Sequence, residues 1–295
     1  MEIRRAYPFQ RIVYVPAVAP PFGKREMKRS SSIILLCVML VPALLASCRA
    51  AQFSQSADKE IFGGLDGALV VIDCSSGQRT TYRPEVADTP LPPCSTFKIV
   101  NALIGLETGI IAAPDEQFYQ WDGVERSIPA WNQDLSLRDA FQVSCVPAFQ
   151  NLARQIGAER MRSWIARIGY GNRDIAAGID VFWLPSKGRR TILISPTEQA
   201  RMVQRIVNGN VPFSRQSLSV LKNLMFIKAT GNGRLYGKTG SGMDERGAFV
   251  LGWFVGYVES KGKTYAFACA ASGDNVMSKD AGAVVERFFQ QEGLL

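Results

Sequence analysis

Ser95-Thr96-Phe97-Lys98-Ile99-Val100-Asn101 is the stretch of this 295-residue chain that decides its fold and its chemistry. The run from Ser95 to Thr108 contains few strongly polar residues, and its apolar residues fall on every side of a helix. A helix of this kind belongs in a protein core, and Gly109 suits its C-terminal end. Because residues three apart share a helix face, Ser95 and Lys98 are predicted to point into one buried pocket.

The chain contains no histidine, and this absence narrows the chemistry that is open to Ser95. A serine hydroxyl needs a base before it can act as a nucleophile, and a Ser-His-Asp triad is excluded here. Lys98 is the remaining nearby candidate. Its amine has a pKa of about 10.4 in water, and burial lowers that value because it disfavours the charged form. We therefore predict that Lys98 lies in an apolar pocket and acts as the base.

Strand patterns lie at both ends of the chain, and helical patterns lie between them. Ala68 to Asp73 is an apolar, β-branched run that ends in a turn, and Gln78 to Arg83 is predicted to return as a second strand. Three more strands and a last helix are predicted near the C-terminus: Leu235 to Gly240, Ala248 to Val258, Thr264 to Ala271 and about Ser278 to Gln291. The order predicts an α/β (α+β) fold, with a mostly antiparallel sheet from both chain ends, an inserted helical lobe, and an active site in the cleft between them.

Three serines are predicted to begin helices of the inserted lobe. Ser136 and Ser195 each precede an acidic residue three positions later, which is the pattern of a capping box, and Pro196 suits the first position of a helix. Ser214 is predicted to begin a further helix.

Residues 1–47 are predicted to be an export signal with an overlong N-terminal extension that precedes Met27. Lys28 and Arg29 supply the positive start of a signal, and the apolar run from Ile33 to Ala46 is too short to be assigned as a membrane span. The predicted product is exported to the periplasm.

The end of this signal predicts how the mature protein begins. Leu45-Ala46-Ser47-Cys48 resembles a bacterial lipobox, and by that resemblance Cys48 would be lipidated and would anchor the protein to a membrane. Ordinary signal cleavage just after Ala50 is the alternative. Residues 48–62 would then form a short tether, and residues 63–295 a single catalytic domain.

The net charge of +8 comes mainly from the predicted signal. Residues 1–47 carry seven Lys and Arg against two Glu, so the rest has 27 basic and 24 acidic residues, a net charge of +3. No basic run remains that would bind phosphates, which argues against nucleic acid as a partner.

Of the six cysteines, Cys37 and Cys48 belong to the predicted signal and its lipobox, and four remain: Cys74, Cys94, Cys145 and Cys269. Without histidine and without C-x-x-C spacing they predict no metal site. Cys94 and Cys145 each adjoin a predicted site residue, and two alternatives stay open for them, a disulfide or two buried free thiols.

Three short motifs are widely spaced along the chain: Ser95-Thr96-Phe97-Lys98, Ser144-Cys145-Val146 and Lys238-Thr239-Gly240. Each motif alone is common in unrelated proteins, as a helix start or as a loop. Their order and spacing together are typical of serine β-lactamases and penicillin-binding proteins.

From about Leu65 to its C-terminus the chain resembles the class D, oxacillinase-type serine β-lactamases. Ser144-x-Val146 stands where class A enzymes have S-D-N, and this difference points to class D. Further segments carry the likeness: Gly105-Leu106-Glu107-Thr108-Gly109, Trp121-Asp122-Gly123, Tyr170-Gly171-Asn172, Phe182-Trp183-Leu184 and Gly252-Trp253-Phe254-Val255-Gly256.

This resemblance implies a β-lactamase/transpeptidase-like fold and hydrolysis of the β-lactam amide bond through an acyl-enzyme on Ser95, which confers antibiotic resistance. It also implies that the Lys98 amine takes up CO2 and becomes N6-carboxylysine, the base for acylation and deacylation. CO2 or bicarbonate would then be required, with no other cofactor and no metal. The alternative is a β-lactam sensor or penicillin-binding protein that is acylated without turnover.

The resemblance assigns roles to further residues. Ser144 would relay the leaving-group proton, and Lys238 would attract the carboxylate of the substrate. The backbone N–H groups of Ser95 and Ser241 would form the oxyanion hole, and the Trp183 indole would donate to the modified lysine. The residues implied to bind substrate are Val146, Trp183, Leu184, Lys238, Thr239, Gly240 and Ser241.

One position departs from the family pattern. Class D enzymes commonly place a carboxylate-binding arginine near the start of the last helix, and the register puts Ala281 there. Lys279 or Arg246 would substitute, and a lysine would bind as a point charge without the bidentate fork of arginine. The sequence leaves open whether the protein forms a homodimer.

Overall fold

The computed structural model describes residues 60–112 and 116–295. The predictions for the export signal, for lipidation at Cys48 and for most of the tether lie outside these residues, and the predicted domain limits stay a prediction. Across the described part of the chain, no helix combines the length and the apolar character needed to cross a membrane.

A six-stranded antiparallel sheet takes its strands from both ends of the chain. Its members are β1 (Asp66–Asp73), β2 (Arg79–Tyr82), β5 (Phe226–Ala229), β6 (Gly233–Met243), β7 (Phe249–Ser260) and β8 (Lys263–Ser272). Their order is β2-β1-β8-β7-β6-β5. A second small sheet pairs β3 (Gln117–Tyr119) with β4 (Leu135–Ser136). The predicted sheet from both chain ends is confirmed.

The pairing of β1 with β8 joins the N-terminal and C-terminal parts of the fold, from Asp66 opposite Ser272 to Asp73 opposite Tyr265. Alternate residues of β1 enter two different hydrophobic clusters, as the two-residue period of a strand requires. Val70 packs in the cluster below the helical lobe, and Leu69 packs in the cluster below the last helix. The sheet therefore lies between two buried layers.

Eight helices are defined in the described residues: α1 (Pro84–Ala87), α2 (Lys98–Glu107), α3 (Leu137–Gln142), α4 (Val146–Ile156), α5 (Ala158–Ile168), α6 (Pro196–Val207), α7 (Arg215–Met225) and α8 (Ser278–Gln291). Short 3-10 helices span Cys94–Phe97 and Pro129–Trp131. The first eight residues of α2 are buried, which confirms the predicted core helix. The prediction is wrong only in its first turn, because Ser95 lies in the 3-10 helix that leads into α2.

The three predicted serine caps are present. Ser136 accepts a hydrogen bond from the Asp139 N–H. Ser195 and Glu198 form a full capping box at the start of α6, and Ser214 accepts from the Ser217 N–H at the start of α7.

Gly171 lies at a position that tolerates no side chain. Its φ is +48°, and a Cβ there would overlap the backbone carbonyl of Leu193. Gly188 has a similar φ of +67° with no atom within 4 Å of the position of a Cβ, so it is a matched control. We expect Gly171→Ala to lower the free energy of unfolding by about 3 kcal/mol or more, and Gly188→Ala by about 1 kcal/mol. Urea unfolding measures both, and equal losses would contradict the clash.

Candidate active site

Ser95 and Lys98 meet at the start of α2. Ser95 Oγ and Lys98 Nζ lie 2.8 Å apart, within hydrogen-bond distance. Lys98 is fully buried, whereas Ser95 is half-buried and open to a reactant. Burial holds the pKa of Lys98 well below its ordinary value, and the neighbouring Lys238 lowers this pKa further. This lowered pKa favours the neutral amine, the form whose lone pair can accept the Ser95 proton.

Apolar groups from three segments surround the Lys98 amine. Its Nζ lies 5.4 Å from the ring centre of Phe149 on α4. The side chains of Cys94 and Cys145 are buried nearby, and burial raises the pKa of the Cys94 thiol to about 12, so this thiol carries no charge. No carboxylate is among the groups that shift the pKa of Lys98.

All four cysteines in the described residues are free and buried. The structure thus has Cys94 and Cys145 as two buried thiols and not as a disulfide.

Ser144 lies in the turn between α3 and α4 and is held in an unusual conformation. Its φ is +55°, a left-handed value that costs energy for a residue with a side chain. Its Oγ is buried and has no hydrogen-bond partner in the part of the chain that the structure describes. A strained backbone and an unpaired hydroxyl are typical of a functional position.

Lys238 lies on the part of β6 whose outer edge is open. Pairing with β5 ends at Phe226 opposite Tyr236, so β6 has no strand partner on that side beyond Tyr236 among the described residues. Lys238 is 4% exposed, and burial lowers its pKa to about 7. Its Nζ donates to the Thr239 carbonyl at 3.2 Å and lies 5.6 Å from the ring centre of Phe141.

The next residues of β6 pass directly beside Ser95. A Cβ at Gly240 would lie 3.1 Å from the Ser95 amide nitrogen, so a side chain here would crowd that nitrogen. Thr239 and Ser241 are half-buried on either side, and Ser241 Oγ accepts a hydrogen bond from the Ser278 N–H at 3.0 Å. The motif Lys238-Thr239-Gly240 and the Ser95 motif thus come together as predicted.

A buried aromatic cluster lies against Phe97, the residue before Lys98. The rings of Phe97 and Trp183 stack with centres 5.5 Å apart, and Phe182 packs edge-on against both rings. The Trp183 Nε1 is buried, and no group within residues 60–112 and 116–295 accepts a hydrogen bond from it. Val146 and Leu184 are half-buried residues of the same lobe.

The sequence did not predict a hydrogen-bonded chain behind the nucleophile. Gln199 on α6 is buried and donates to Thr96 Oγ1 at 2.8 Å, and this hydroxyl donates to the Pro93 carbonyl at 2.6 Å. The chain joins α6 to the 3-10 helix that carries Ser95. In the sequence, Gln199 is marked only by its position directly after the capping box. That position does not identify Thr96, 103 residues away, as its hydrogen-bond partner.

The two residues predicted to replace the carboxylate-binding arginine, Lys279 and Arg246, lie in different parts of the fold. Ala281 is fully buried in α8 and offers no charge. Lys279 is exposed on the first turn of α8, next to Ser278, whose backbone contacts Ser241. Arg246 pairs with Asp244 at 3.1 Å in the turn between β6 and β7.

The two buried lysines predict how stability depends on pH. In bicarbonate-free buffer between pH 7 and about pH 10, the unfolded chain binds a proton that the folded Lys238 does not bind, and the lowered pKa of Lys98 acts in the same direction. The free energy of unfolding therefore rises with pH in this interval, with a slope of about 1.4 kcal/mol per pH unit for each such lysine. We expect Lys238→Met to lower the measured slope by about that amount. Urea titrations at several pH values test this, and an unchanged slope would show that Lys238 is not desolvated.

Comparison with known proteins gives a consistent set of relatives. A family model described as the penicillin binding protein transpeptidase domain matches residues 48–291. β-Lactamase OXA-5 of Pseudomonas aeruginosa is 39% identical over 210 residues, 71% of this chain and 77% of that protein. The probable β-lactamase YbxI of Bacillus subtilis (strain 168) is 36% identical over 220 residues, 74% of this chain and 79% of that protein. The crystal structure of FUS-1 (OXA-85), a class D β-lactamase from Fusobacterium nucleatum subsp. polymorphum, has a TM-score of 0.75 and 33% identity, covering 83% of this chain and 98% of that one.

Proposed function

This chain belongs to the class D serine β-lactamases, and we propose that it opens the β-lactam ring with Ser95 as the nucleophile and the Lys98 side chain as the base. Enzymes of this class hydrolyse the β-lactam amide bond without a metal and confer antibiotic resistance. The observation that carries the assignment of residues is the 2.8 Å contact between Ser95 Oγ and the buried Lys98 Nζ.

Two buried polar atoms support carboxylation of Lys98. The Trp183 N–H and the Ser144 hydroxyl have no partner among the described residues, although an unpaired buried polar group costs about 1–3 kcal/mol. A carboxylate on the Lys98 nitrogen would give the Trp183 N–H an acceptor. It would supply an anionic base and would require CO2 or bicarbonate. Burial lowers the pKa of Lys98 and so favours the neutral amine, which is the form that can react with CO2.

In the acylation step, Ser95 Oγ attacks the lactam carbonyl carbon while the Lys98 side chain takes the Ser95 proton. The backbone N–H groups of Ser95 and Ser241 donate to the developing oxyanion. As the C–N bond breaks, the Ser144 hydroxyl gives its proton to the lactam nitrogen and takes up in its place the proton that the Lys98 side chain accepted from Ser95, so that Lys98 is again a free base. This assignment is supported by the unpaired Ser144 Oγ and by the close passage of Gly240 along the Ser95 amide.

In the deacylation step, a water molecule attacks the ester on Ser95. The Lys98 side chain takes a proton from that water, and Ser95 leaves with its hydroxyl restored. Desolvation by the Phe149 ring and the neighbouring thiols keeps this base reactive, because bulk water does not solvate it.

Substrate binding would use the open edge of β6. Lys238 is the buried cation at this edge, and it attracts the carboxylate of the substrate when protonated. Lys279 is the favoured substitute for the missing arginine, because the Ser278–Ser241 hydrogen bond brings the start of α8 against β6. Val146, Leu184 and Trp183 would form the apolar wall opposite.

Replacing Trp183 by phenylalanine tests the role of its indole. Trp183→Phe keeps a ring against Phe97 but removes the N–H donor, so the carboxylated form of Lys98 should lose about one charge-assisted hydrogen bond. We expect turnover without added bicarbonate to fall about 10-fold or more and to recover in saturating bicarbonate.

The control is Trp164→Phe, which changes a tryptophan that stacks on Phe213 outside the site. Its bicarbonate dependence should match that of the unchanged protein. Loss of activity in Trp183→Phe that bicarbonate does not restore would contradict the proposed donor role.

We also propose export to the periplasm with a lipid on Cys48, supported by the positive start and the lipobox-like end of residues 28–48. Mass spectrometry of the exported protein distinguishes the outcomes. A diacylglycerol-sized increment on a chain that begins at Cys48 supports the proposal, and an unmodified chain that begins after Ala50 contradicts it.

A further inference from the structure

A cavity of about 300 Å³ lies between α6, α7 and β7 and contains none of the catalytic residues. Most of its wall is apolar. The apolar wall residues are Ile206, Val207, Leu218, Leu221 and Met225.

Tyr257 of β7 supplies an unpaired donor in this wall. Its side chain is 5% exposed, and its hydroxyl makes no hydrogen bond to any described residue. Burial raises the pKa of Tyr257, so the hydroxyl keeps its proton and is available to donate. The hydroxyl therefore opens into the cavity as a donor without a partner among the described residues, and an acceptor bound in the cavity could use it.

The charged residues of the cavity leave an excess of one positive charge. Glu259 is the single acidic residue in the wall, and it is neutralised by a salt bridge from Lys222 and by a hydrogen bond from the Tyr236 hydroxyl at 3.1 Å. Arg215 is the first residue of α7, where the helix dipole adds a partial positive charge. It is exposed, and no ion pair involves it in the described part of the chain.

We propose that this cavity, which we call the α6–α7 cavity, binds a small amphipathic carboxylate with an unbranched apolar tail. The tail contacts the wall formed by Leu218, Leu221 and Met225. The carboxylate accepts from the Tyr257 hydroxyl and is attracted by Arg215. An apolar pocket with few convergent polar groups is the usual form of a small-molecule site. A free phosphate does not match it, because apolar walls give it no partners.

Binding is tested with octanoate and the full-length protein labelled with [13C-methyl]methionine. The methyl group of Met225 lies in the cavity wall, whereas that of Met161 is buried in α5 and serves as an internal control. We expect octanoate to shift the Met225 signal in a saturable way and to leave the Met161 signal unchanged. Tyr257→Phe and Arg215→Met should each weaken the affinity about fivefold, the effect of one lost hydrogen bond or charge contact.

Octan-1-ol and octyltrimethylammonium separate charge recognition from apolar adsorption. Both should bind more weakly than octanoate, and Arg215→Met should weaken octanoate alone. Equal affinities for the three probes, unchanged affinity in both variants, or a Met225 signal that does not move would overturn the proposal. Steady-state hydrolysis in the same samples completes the test. Competitive inhibition without a Met225 shift would place octanoate at the catalytic site and would equally overturn it.

Discussion

Lys98→Met is expected to reduce β-lactam turnover about 10⁴-fold while the protein stays folded. The methionine side chain preserves the apolar stem in a buried pocket, but it removes the group that we propose takes the Ser95 proton. Acylation and deacylation lose the same base, so both steps should slow. Steady-state kinetics with a penicillin, together with a thermal unfolding curve, measure the effect and check the fold.

A bicarbonate titration distinguishes loss of the base from loss of its modification. Saturating bicarbonate should not restore Lys98→Met, although it should restore Trp183→Phe. Lys187→Met is the matched control, because Lys187 is exposed and its loss should leave turnover unchanged. Turnover in Lys98→Met above about a tenth of the unchanged protein would contradict the assignment of the base.

Ser95→Ala is expected to abolish covalent attachment of a penicillin and to reduce turnover by a similar factor of about 10⁴. The hydroxyl beside Lys98 Nζ is the proposed nucleophile, and alanine removes only that atom. Intact-mass spectrometry at short mixing times should show an adduct of one penicillin on the unchanged protein and none on Ser95→Ala. Ser186→Ala changes an exposed serine and should form the adduct normally.

The lifetime of the adduct separates hydrolysis from the alternative of a β-lactam sensor. In saturating bicarbonate the adduct should disappear as substrate is exhausted. A durable adduct under those conditions would identify a protein that is acylated without turnover, and an adduct on Ser95→Ala would show that another residue is the nucleophile.

Local patterns predicted most of the fold. The last helix has the predicted bounds, Ser278–Gln291, because its apolar residues keep a helical period along its whole length. The strand β5, Phe226–Ala229, was not predicted. It follows α7 directly without a turn residue, and Phe226 and Ile227 are exposed, so neither a break nor a burial pattern marks it.

In the site, too, only contacts between residues close in sequence were predictable. The Ser95–Lys98 contact was predictable because both residues lie within one turn of chain. Phe149 packs against Lys98 from 51 positions away, and Gln199 reaches Thr96 from 103 positions away, so only the folded chain shows these contacts. The sequence could not predict that a 3-10 helix leads into α2. A 3-10 helix, with 3.0 residues per turn, and an α-helix, with 3.6, both place residues three apart on one face, so the spacing of Ser95 and Lys98 fits either.

The central claim is that burial makes the Lys98 amine neutral and therefore able to bind CO2. Carbon-13 NMR of the protein in 13C-labelled bicarbonate at neutral pH tests it most directly. We predict one protein-bound carbamate signal in the unchanged protein and in Ser95→Ala, and no such signal in Lys98→Met. Absence of the signal from the unchanged protein at saturating bicarbonate, or its persistence in Lys98→Met, would contradict the account.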